Sequence, residues 1–264
     1  MSESPAASRT PRWLRPSIGV ALGAWLIYTL AVNAVQLSSG VPYAEWFTTA
    51  SHAWRVGVLS LVAGSALLLA FVRVARWPDL WRDQVKLPVT PAMKVAMIAF
   101  WIAVAVRLAG ARWSEVPLDL LLAIVASGVL VGFAEETLFR GIFLRCMREG
   151  GRNEAAAATW TATCFGLFHL PNVFMGTGWI GLLQVLLAAI TGLVLYVFRR
   201  SSGVLCPAMI AHGAWDIAAF LAVGYGQPWL AVPSLAIQFA MLLLGVAVLV
   251  SIQRHDRGRI AIPG

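Results

Sequence analysis

Long apolar blocks separated by short polar segments dominate this chain. Each block has roughly twenty residues, the length that an α-helix needs to cross about 30 Å of hydrocarbon. The pattern predicts an all-α polytopic membrane protein of about eight transmembrane helices. We expect a single membrane domain over residues 18–252, a disordered tail at 1–17 and a short tail at 253–264. The blocks run approximately over 18–38, 56–74, 92–109, 118–137, 154–170, 179–198, 203–222 and 229–252.

The composition agrees with that of an integral membrane protein. Hydrophobic residues make up 59% of the chain, charged residues only 12%, and the mean hydropathy is +0.78. A soluble domain carries about 25% charged residues. The net charge of +8 does not indicate a nucleic-acid partner, because the basic residues stand between the apolar blocks rather than on one face. The three cysteines show neither a disulfide pattern nor a zinc-binding spacing.

The Lys and Arg residues predict the orientation. If the helices alternate and the N-terminus is inside, only Arg55, Arg107 and Arg112 fall on the outer side. Cytoplasmic segments of membrane proteins are enriched in Lys and Arg. We therefore expect a multi-pass protein of the cell membrane with both termini in the cytoplasm. The inner set comprises Arg9, Arg12, Arg15, Arg73, Arg76, Arg82, Lys86, Lys94, Arg140, Arg145, Arg148, Arg152, Arg199, Arg200, Arg254, Arg257 and Arg259.

The apolar blocks have almost no ionisable residues outside the second half of the chain, apart from Lys94 and Arg107 near block ends. An ionisable side chain at the centre of a membrane helix costs about 2.5–3.5 kcal/mol on insertion scales, so each one indicates a function. The turn signals at 150–153 and 201–203 bring three of the blocks together at similar depth. The candidates are Glu135, Glu136, Arg140, His169, His212 and Asp216.

The two neighbouring glutamates predict different roles. Adjacent helical residues point about 100° apart, so both cannot face one site. Glu136 and Arg140 are four residues apart and can form an ion pair along one face. Glu135 then remains a free carboxylate in a cavity of low dielectric constant, which suits a general base.

Two histidines and an aspartate complete the predicted site. His169 is expected to orient a water molecule or to share it with Glu135. His212 and Asp216 lie on one helix face and either donate to a developing oxyanion, or Asp216 fixes the tautomer of His212. Phe165, one turn before His169, is expected to line the cavity.

Three motifs occur in order: EETLFR over 135–140, FGLFH over 165–169 and HGAWD over 212–216. Together they resemble the CAAX protease and bacteriocin-processing family of intramembrane peptidases, whose pattern is EExxxR, FxxxH and HxxxN or HxxxD. The resemblance covers roughly residues 117–222. It implies catalysis by Glu135, His169, His212 and Asp216, support from Glu136 and Arg140, and a cavity that opens toward the cytoplasm. Asp216 stands where many relatives have Asn.

The predicted function is therefore an intramembrane endopeptidase that hydrolyses a membrane-associated or lipid-modified peptide with water activated by Glu135 and His169. No cofactor is expected, since the zinc motif HExxH is absent. A zinc ion bound by Glu135, His169 and His212 is the alternative mechanism. A catalytically silent scaffold or immunity protein and a proton-coupled transporter are the alternative functions.

Overall fold

The computed structural model describes residues 11–83 and 87–260. In this part of the chain there is no β-strand, and eight helices have fifteen or more residues. We number them in chain order: α1 Ile18–Ser38, α2 Ala50–Ala75, α3 Pro91–Ala109, α4 Leu118–Glu149, α5 Glu154–Phe168, α6 Ile180–Ser202, α7 Cys206–Tyr225 and α8 Ala231–Ile260. All eight predicted blocks are therefore helical.

Seven of these helices are long and apolar enough to cross a membrane. The exception is α5, whose fifteen residues span about 22 Å at 1.5 Å per residue, short of a hydrocarbon core of about 30 Å. The predicted all-α membrane fold is confirmed, and the number of candidate spans within the described residues is seven rather than eight. Because α5 ends inside the bundle, the segment that follows it starts at the depth of the site.

Local signals fix the helix ends. Asn153 caps α5, since its Oδ1 accepts the backbone N–H of Ala156 at 2.8 Å, and Thr90 caps α3 in front of Pro91. Helix α6 stops at Gly203, which has a φ of 71° in the left-handed region that glycine tolerates. The two turns predicted from sequence, at 150–153 and 201–203, are thus present.

Three glycines bring α4 and α7 into close contact. A side chain at Gly132 would meet the carbonyl oxygen of Met209 at 2.2 Å, and one at Gly213 would meet that of Gly128 at 2.7 Å. Close backbone approach at small residues is a common way for membrane helices to associate. This contact sets the depth of His212 on α7 against Glu135 and Glu136 on α4.

The two ends of the bundle differ in composition. One end, here called the arginine-rich end, contains residues 76–83 and the turns at 150–153 and 203–205, joined by backbone hydrogen bonds from Asp83 to Gly203 and from Leu205 to Trp81. The opposite end contains residues 39–49, 110–117, 169–179 and 226–230. It is joined by backbone hydrogen bonds between Tyr43 and Met175 and between Gln227 and Gly110.

A set of hydrogen-bonded polar and charged side chains, buried or partly buried, joins the elements of the arginine-rich end. Arg199 donates to Asp83 at 2.6 Å and to the carbonyl oxygen of Arg140 at 2.6 Å. Arg148 donates to Glu154 at 2.5 Å and to Asp83 at 3.1 Å. We call this group the Arg199 network; its members are Asp83, Arg148, Glu154, Tyr196, Arg199 and Arg200.

The structure differs from two predictions about this end of the bundle. Helix α4 does not end at 137 but continues to Glu149; residues 138–144 are buried, and Arg148 is anchored in the network. The tail also differs, because Arg12–Leu14 form a short 3-10 helix and the Leu14 carbonyl accepts a hydrogen bond from Trp77 at 2.8 Å. Residues 1–10 and 261–264 lie outside the described part of the chain.

Candidate active site

A cavity of about 600 Å³ lies between α1, α2, α4, α6 and α7. Four of the predicted site residues line it together: Glu135 from α4, His169 just after α5, and His212 and Asp216 from α7. The rest of the wall is mostly apolar. The three motifs, which are spread over residues 135–216 of the chain, thus meet at one place.

The residues after the two glutamates form a π-helical turn, Thr137–Phe143. Such wide turns inside α-helices occur frequently at functional sites. Within the turn Arg140 is completely buried and donates from Nη1 to Glu136 Oε1 at 2.6 Å and from Nη2 to the carbonyl oxygen of Gly192 at 2.9 Å. The ion pair predicted between Glu136 and Arg140 is therefore present in the structure.

Glu135 has fewer polar partners in the protein than Glu136 has. Its side chain is 7% exposed, it lines the cavity, and its Oε2 has no hydrogen-bond partner in the protein. The nearest basic group is His212 Nε2, at 3.9 Å from Oε2, too far for a direct hydrogen bond. A buried carboxylate without a partner leaves a position at which a water molecule can bind and be deprotonated.

His212 is oriented by Glu136. Its Nδ1 lies 2.8 Å from Glu136 Oε1, and Nδ1 carries the hydrogen because a carboxylate paired with arginine only accepts. Nε2 then faces the cavity, 3.9 Å from both Glu135 Oε2 and Asp216 Oδ2. The alternative in which Asp216 fixes the tautomer does not agree with this geometry, because Glu136 takes that place. We call Glu135, Glu136, Arg140, His212 and Asp216 the His212 cluster.

Phe165 forms one wall shared by the charged groups. Its ring packs edge-on against His169 and His212, with centroids 5.2 and 5.3 Å away, and the guanidinium of Arg140 lies 4.5 Å above it. His169 Nδ1 donates to the Phe165 carbonyl oxygen at 2.9 Å when the hydrogen is on Nδ1, which leaves Nε2 free to accept. Phe165 thus lines the cavity, as predicted, and also fixes the plane of His169.

Arg107 was predicted only as a basic residue near the end of α3, yet it is buried. It is 4% exposed, its guanidinium lies 4.1 Å over the Trp215 ring, and its charge is close enough to attract that of Asp216. A lone arginine near a block end gives no indication of its direction, so the sequence could not reveal this contact. Arg107 offers a positive counter-charge for Asp216.

Polar, uncharged groups line the far part of the cavity, at the end opposite the arginine-rich end. Gln184 Nε2 donates to the Tyr43 hydroxyl at 2.7 Å, and Asn172 donates to Gln184 Oε1 at 3.1 Å. Burial raises the pKa of Tyr43, although the hydrogen bond from Gln184 acts against this, so the phenol remains neutral. These three residues join the 39–49 segment, the 169–179 segment and α6 around the cavity.

A zinc ion bound by Glu135, His169 and His212 is the second mechanism considered for this site. Among the described residues, no group of three or more His, Cys, Asp or Glu side chains is arranged to hold a metal ion. In this arrangement Glu136 holds His212 through Nδ1, and a zinc ligand set would have to use Nε2 together with Glu135 and His169. Metal dependence therefore stays a prediction to be measured.

Comparison with known proteins gives one match. Residues 117–218 match the family model described as Type II CAAX prenyl endopeptidase Rce1-like. All three motifs lie within the matched residues, so the resemblance inferred from them is confirmed. No curated protein matches the chain.

Proposed function

On the premise that residues 117–218 are similar to the Rce1-like CAAX prenyl endopeptidases, we propose that this chain is an intramembrane endopeptidase that uses Glu135 as general base. The observation that carries the proposal is the Glu135 carboxylate: it is buried, unpartnered at Oε2, and it faces a cavity that His169 and His212 also line. Glu136 differs, because its Oε1 pairs with Arg140 and His212 and the residue does not line the cavity.

The proposed reaction begins with a water molecule held between Glu135 and His169. Glu135 takes one proton from this water, whose oxygen forms a bond to the carbonyl carbon of the substrate peptide. His169 Nε2 accepts a hydrogen bond from the remaining O–H and so fixes the direction of attack. The resulting oxyanion is stabilised by His212, which in its charged form donates from Nε2 while Nδ1 donates to Glu136.

Collapse of this intermediate completes the cycle. The carbon–nitrogen bond breaks, and Glu135 returns its proton to the leaving amine nitrogen, which regenerates the carboxylate. Arg140 holds Glu136 in its ionised form throughout, and Arg107 balances the charge of Asp216 beside the oxyanion. In this scheme Glu136, Arg140 and Arg107 are positioning residues, since they act through His212 or Asp216.

Comparative proteomics of membrane fractions tests the proposal. Cells that contain the wild type, Glu135→Gln or the control Glu149→Gln are compared; Glu149 is an exposed carboxylate at the arginine-rich end. We expect peptide fragments that are present with the wild type and the control and absent with Glu135→Gln. If the three samples contain the same fragments under every growth condition, the protein is a scaffold and not a peptidase.

Elemental analysis of the purified protein separates the two mechanisms. Water activation by Glu135 and His169 requires no metal, so the activity should survive a strong chelator. One zinc ion per chain, lost in both His169→Ala and His212→Ala, would instead establish Glu135, His169 and His212 as ligands. The metal content can be measured without knowing the substrate.

A further inference from the structure

Within residues 11–83 and 87–260, the lining of the cavity extends to one end of the bundle. Beyond the His212 cluster its lining continues along Tyr43, Ala44, Trp46 and Thr48 of the 39–49 segment and along α7 to Gly224. All of these residues belong to the end opposite the arginine-rich end. The path from the site to the bundle surface therefore leads away from the arginines.

In the other direction the interior is filled. Between Glu135 and the arginine-rich end, Leu138, Phe139, Ile142 and Phe143 of α4 are at most 1% exposed, and Arg140 is completely buried. The Arg199 network lies behind this layer and ties α4, α5 and α6 to residues 80–83. A substrate that approaches from the arginine-rich end meets packed side chains and bonded charges.

Exposed basic residues identify the two sides of the membrane. Arginines within the Arg199 network are used internally, so we count only exposed Lys and Arg. Among the described residues, Arg55 is the one exposed basic residue at the cavity end, since Arg107 is buried and Arg112 is half-buried and paired with Glu115. The exposed basic residues at the arginine-rich end are Arg15, Arg73, Arg76, Arg82, Lys94, Arg152 and Arg254.

We infer that the cavity receives its substrate from the non-cytoplasmic side of the membrane. An excess of exposed Lys and Arg marks the cytoplasmic side of a membrane protein, and here it lies opposite the cavity opening. The resemblance alone implied a cavity that opens toward the cytoplasm; that expectation and the orientation predicted from the charges cannot both hold in this fold. Because the arginine-rich end is packed, we keep the orientation predicted from the charges and give up the cytoplasmic opening.

The opening also limits the chemistry of the substrate, if the proposed peptidase function holds. Ile180, Leu183 and Val223 line the cavity and are 78%, 55% and 86% exposed, so its rim is apolar and faces the surroundings of the bundle. None of the described residues that line the cavity is Lys or Arg, and in the proposed reaction the charge of His212 serves the oxyanion, so a terminal carboxylate finds no further basic partner there. The substrate is therefore an uncharged, apolar internal segment of a peptide at the outer membrane boundary.

Cysteine accessibility tests the orientation directly. In a Cys206→Ser background, which removes the exposed native cysteine, single cysteines replace Ala44 at the opening, Ala219 within the cavity and Arg152 at the arginine-rich end. A membrane-impermeant sulfonated maleimide is applied to right-side-out vesicles and to inverted vesicles. We expect Ala44→Cys and Ala219→Cys to react in right-side-out vesicles, and Arg152→Cys to react only in inverted ones.

Reaction of Ala219→Cys only in inverted vesicles would overturn the inference, whatever the result for Ala44→Cys. The labelling is repeated in Glu135→Gln, so it decides the orientation even if no proteolytic activity exists. A photo-crosslinking residue at Ala219 of Glu135→Gln then captures bound peptides. Segments from the outer membrane boundary support the inferred substrate class, whereas free C-terminal peptides from the cytoplasm contradict it.

Discussion

Two groups of buried charged side chains stand in this bundle, the His212 cluster and the Arg199 network. In the network, Arg199 has three different acceptors, namely Asp83, the carbonyl of Leu80 and the carbonyl of Arg140. In the cluster, oxygens of both glutamates and the Nε of Arg140 have no partner in the protein. None of the network residues lines the cavity, whereas Glu135, His212 and Asp216 of the cluster do.

The difference teaches how to separate structural charges from functional ones in a membrane protein. Both groups contain buried arginine and carboxylates, so neither residue type nor burial distinguishes them. What distinguishes them is the surroundings of the unpartnered atoms: Glu135, with its free Oε2, lines a cavity, whereas Arg200, whose Nη2 also has no partner, does not. Unsatisfied buried polar groups are costly, and they persist where a bound water or substrate completes them.

The largest effect is expected for Glu135→Gln. Removing the general base should lower the rate of fragment production by roughly 10²–10⁴-fold. The thermal unfolding temperature in detergent should stay the same or rise, since the variant removes a buried charge without a bonded partner. Loss of both activity and stability would place Glu135 with the structural charges and remove the contrast between the two groups.

Glu136→Gln should affect stability first. The substitution leaves the Arg140 guanidinium without its carboxylate partner, and breaking a buried ion pair costs about 3–5 kcal/mol. Denaturant titration in detergent measures this cost. The double variant Glu136→Gln with Arg140→Met is the control: it should recover much of the stability but not the activity, because His212 stays without its orienting carboxylate.

Gly132→Ala tests whether the close spacing of α4 and α7 is needed for the geometry of the His212 cluster but not for that of the Arg199 network. The added methyl group would collide with the carbonyl oxygen of Met209, and overpacking of this kind costs about 1–3 kcal/mol. We expect reduced activity from the displaced His212, with the Arg199 network unchanged. Gly23→Ala in α1 is the matched control, since nothing lies within 4 Å of its added carbon. If Gly132→Ala and Gly23→Ala changed activity and stability equally, the close contact between α4 and α7 would be contradicted.

Asp83→Asn should have the smallest effect on activity of the four. Arg199 keeps two carbonyl acceptors and Arg148 keeps Glu154, so the loss is that of charge-assisted hydrogen bonds, about 1.5–3 kcal/mol at most. Activity at a temperature well below unfolding should not change. If the purified variant is stable but inactive, the network takes part in the reaction and the comparison fails.

Much of the fold was predictable because lipid imposes simple rules. Block length gave eight helices, and the turn at 150–153 gave the hairpin of α4 and α5. The length of α4 was underestimated, since charged residues such as Arg145 and Arg148 usually end a membrane helix and here are held by partners from distant parts of the chain. Hydropathy carries no information about such partners.

The candidate site was predictable as a set of residues but only in part as a geometry. Spacing indicated the Glu136–Arg140 pair, and the three motifs indicated which helices meet. The hydrogen bond between Glu136 and His212 joins residues 76 positions apart, and the burial of Arg107 against Trp215 depends on the rotation of α3. Neither follows from periodicity, because both depend on tertiary packing.

The π-helical turn at 137–143 rotates the side chains of the second half of α4 relative to those of the first half. A wide turn accommodates one residue more than an α-helical turn does, so side chains after Phe143 are offset by about 100° from the wheel that fits residues 118–136. Glu135 can thus face the cavity while Arg148, on the same continuous helix, faces Glu154. A single helical wheel drawn through all of α4 assigns the wrong neighbours to one half. Deleting one residue within the turn would bring both halves into register and rotate Arg145 and Arg148 away from their partners.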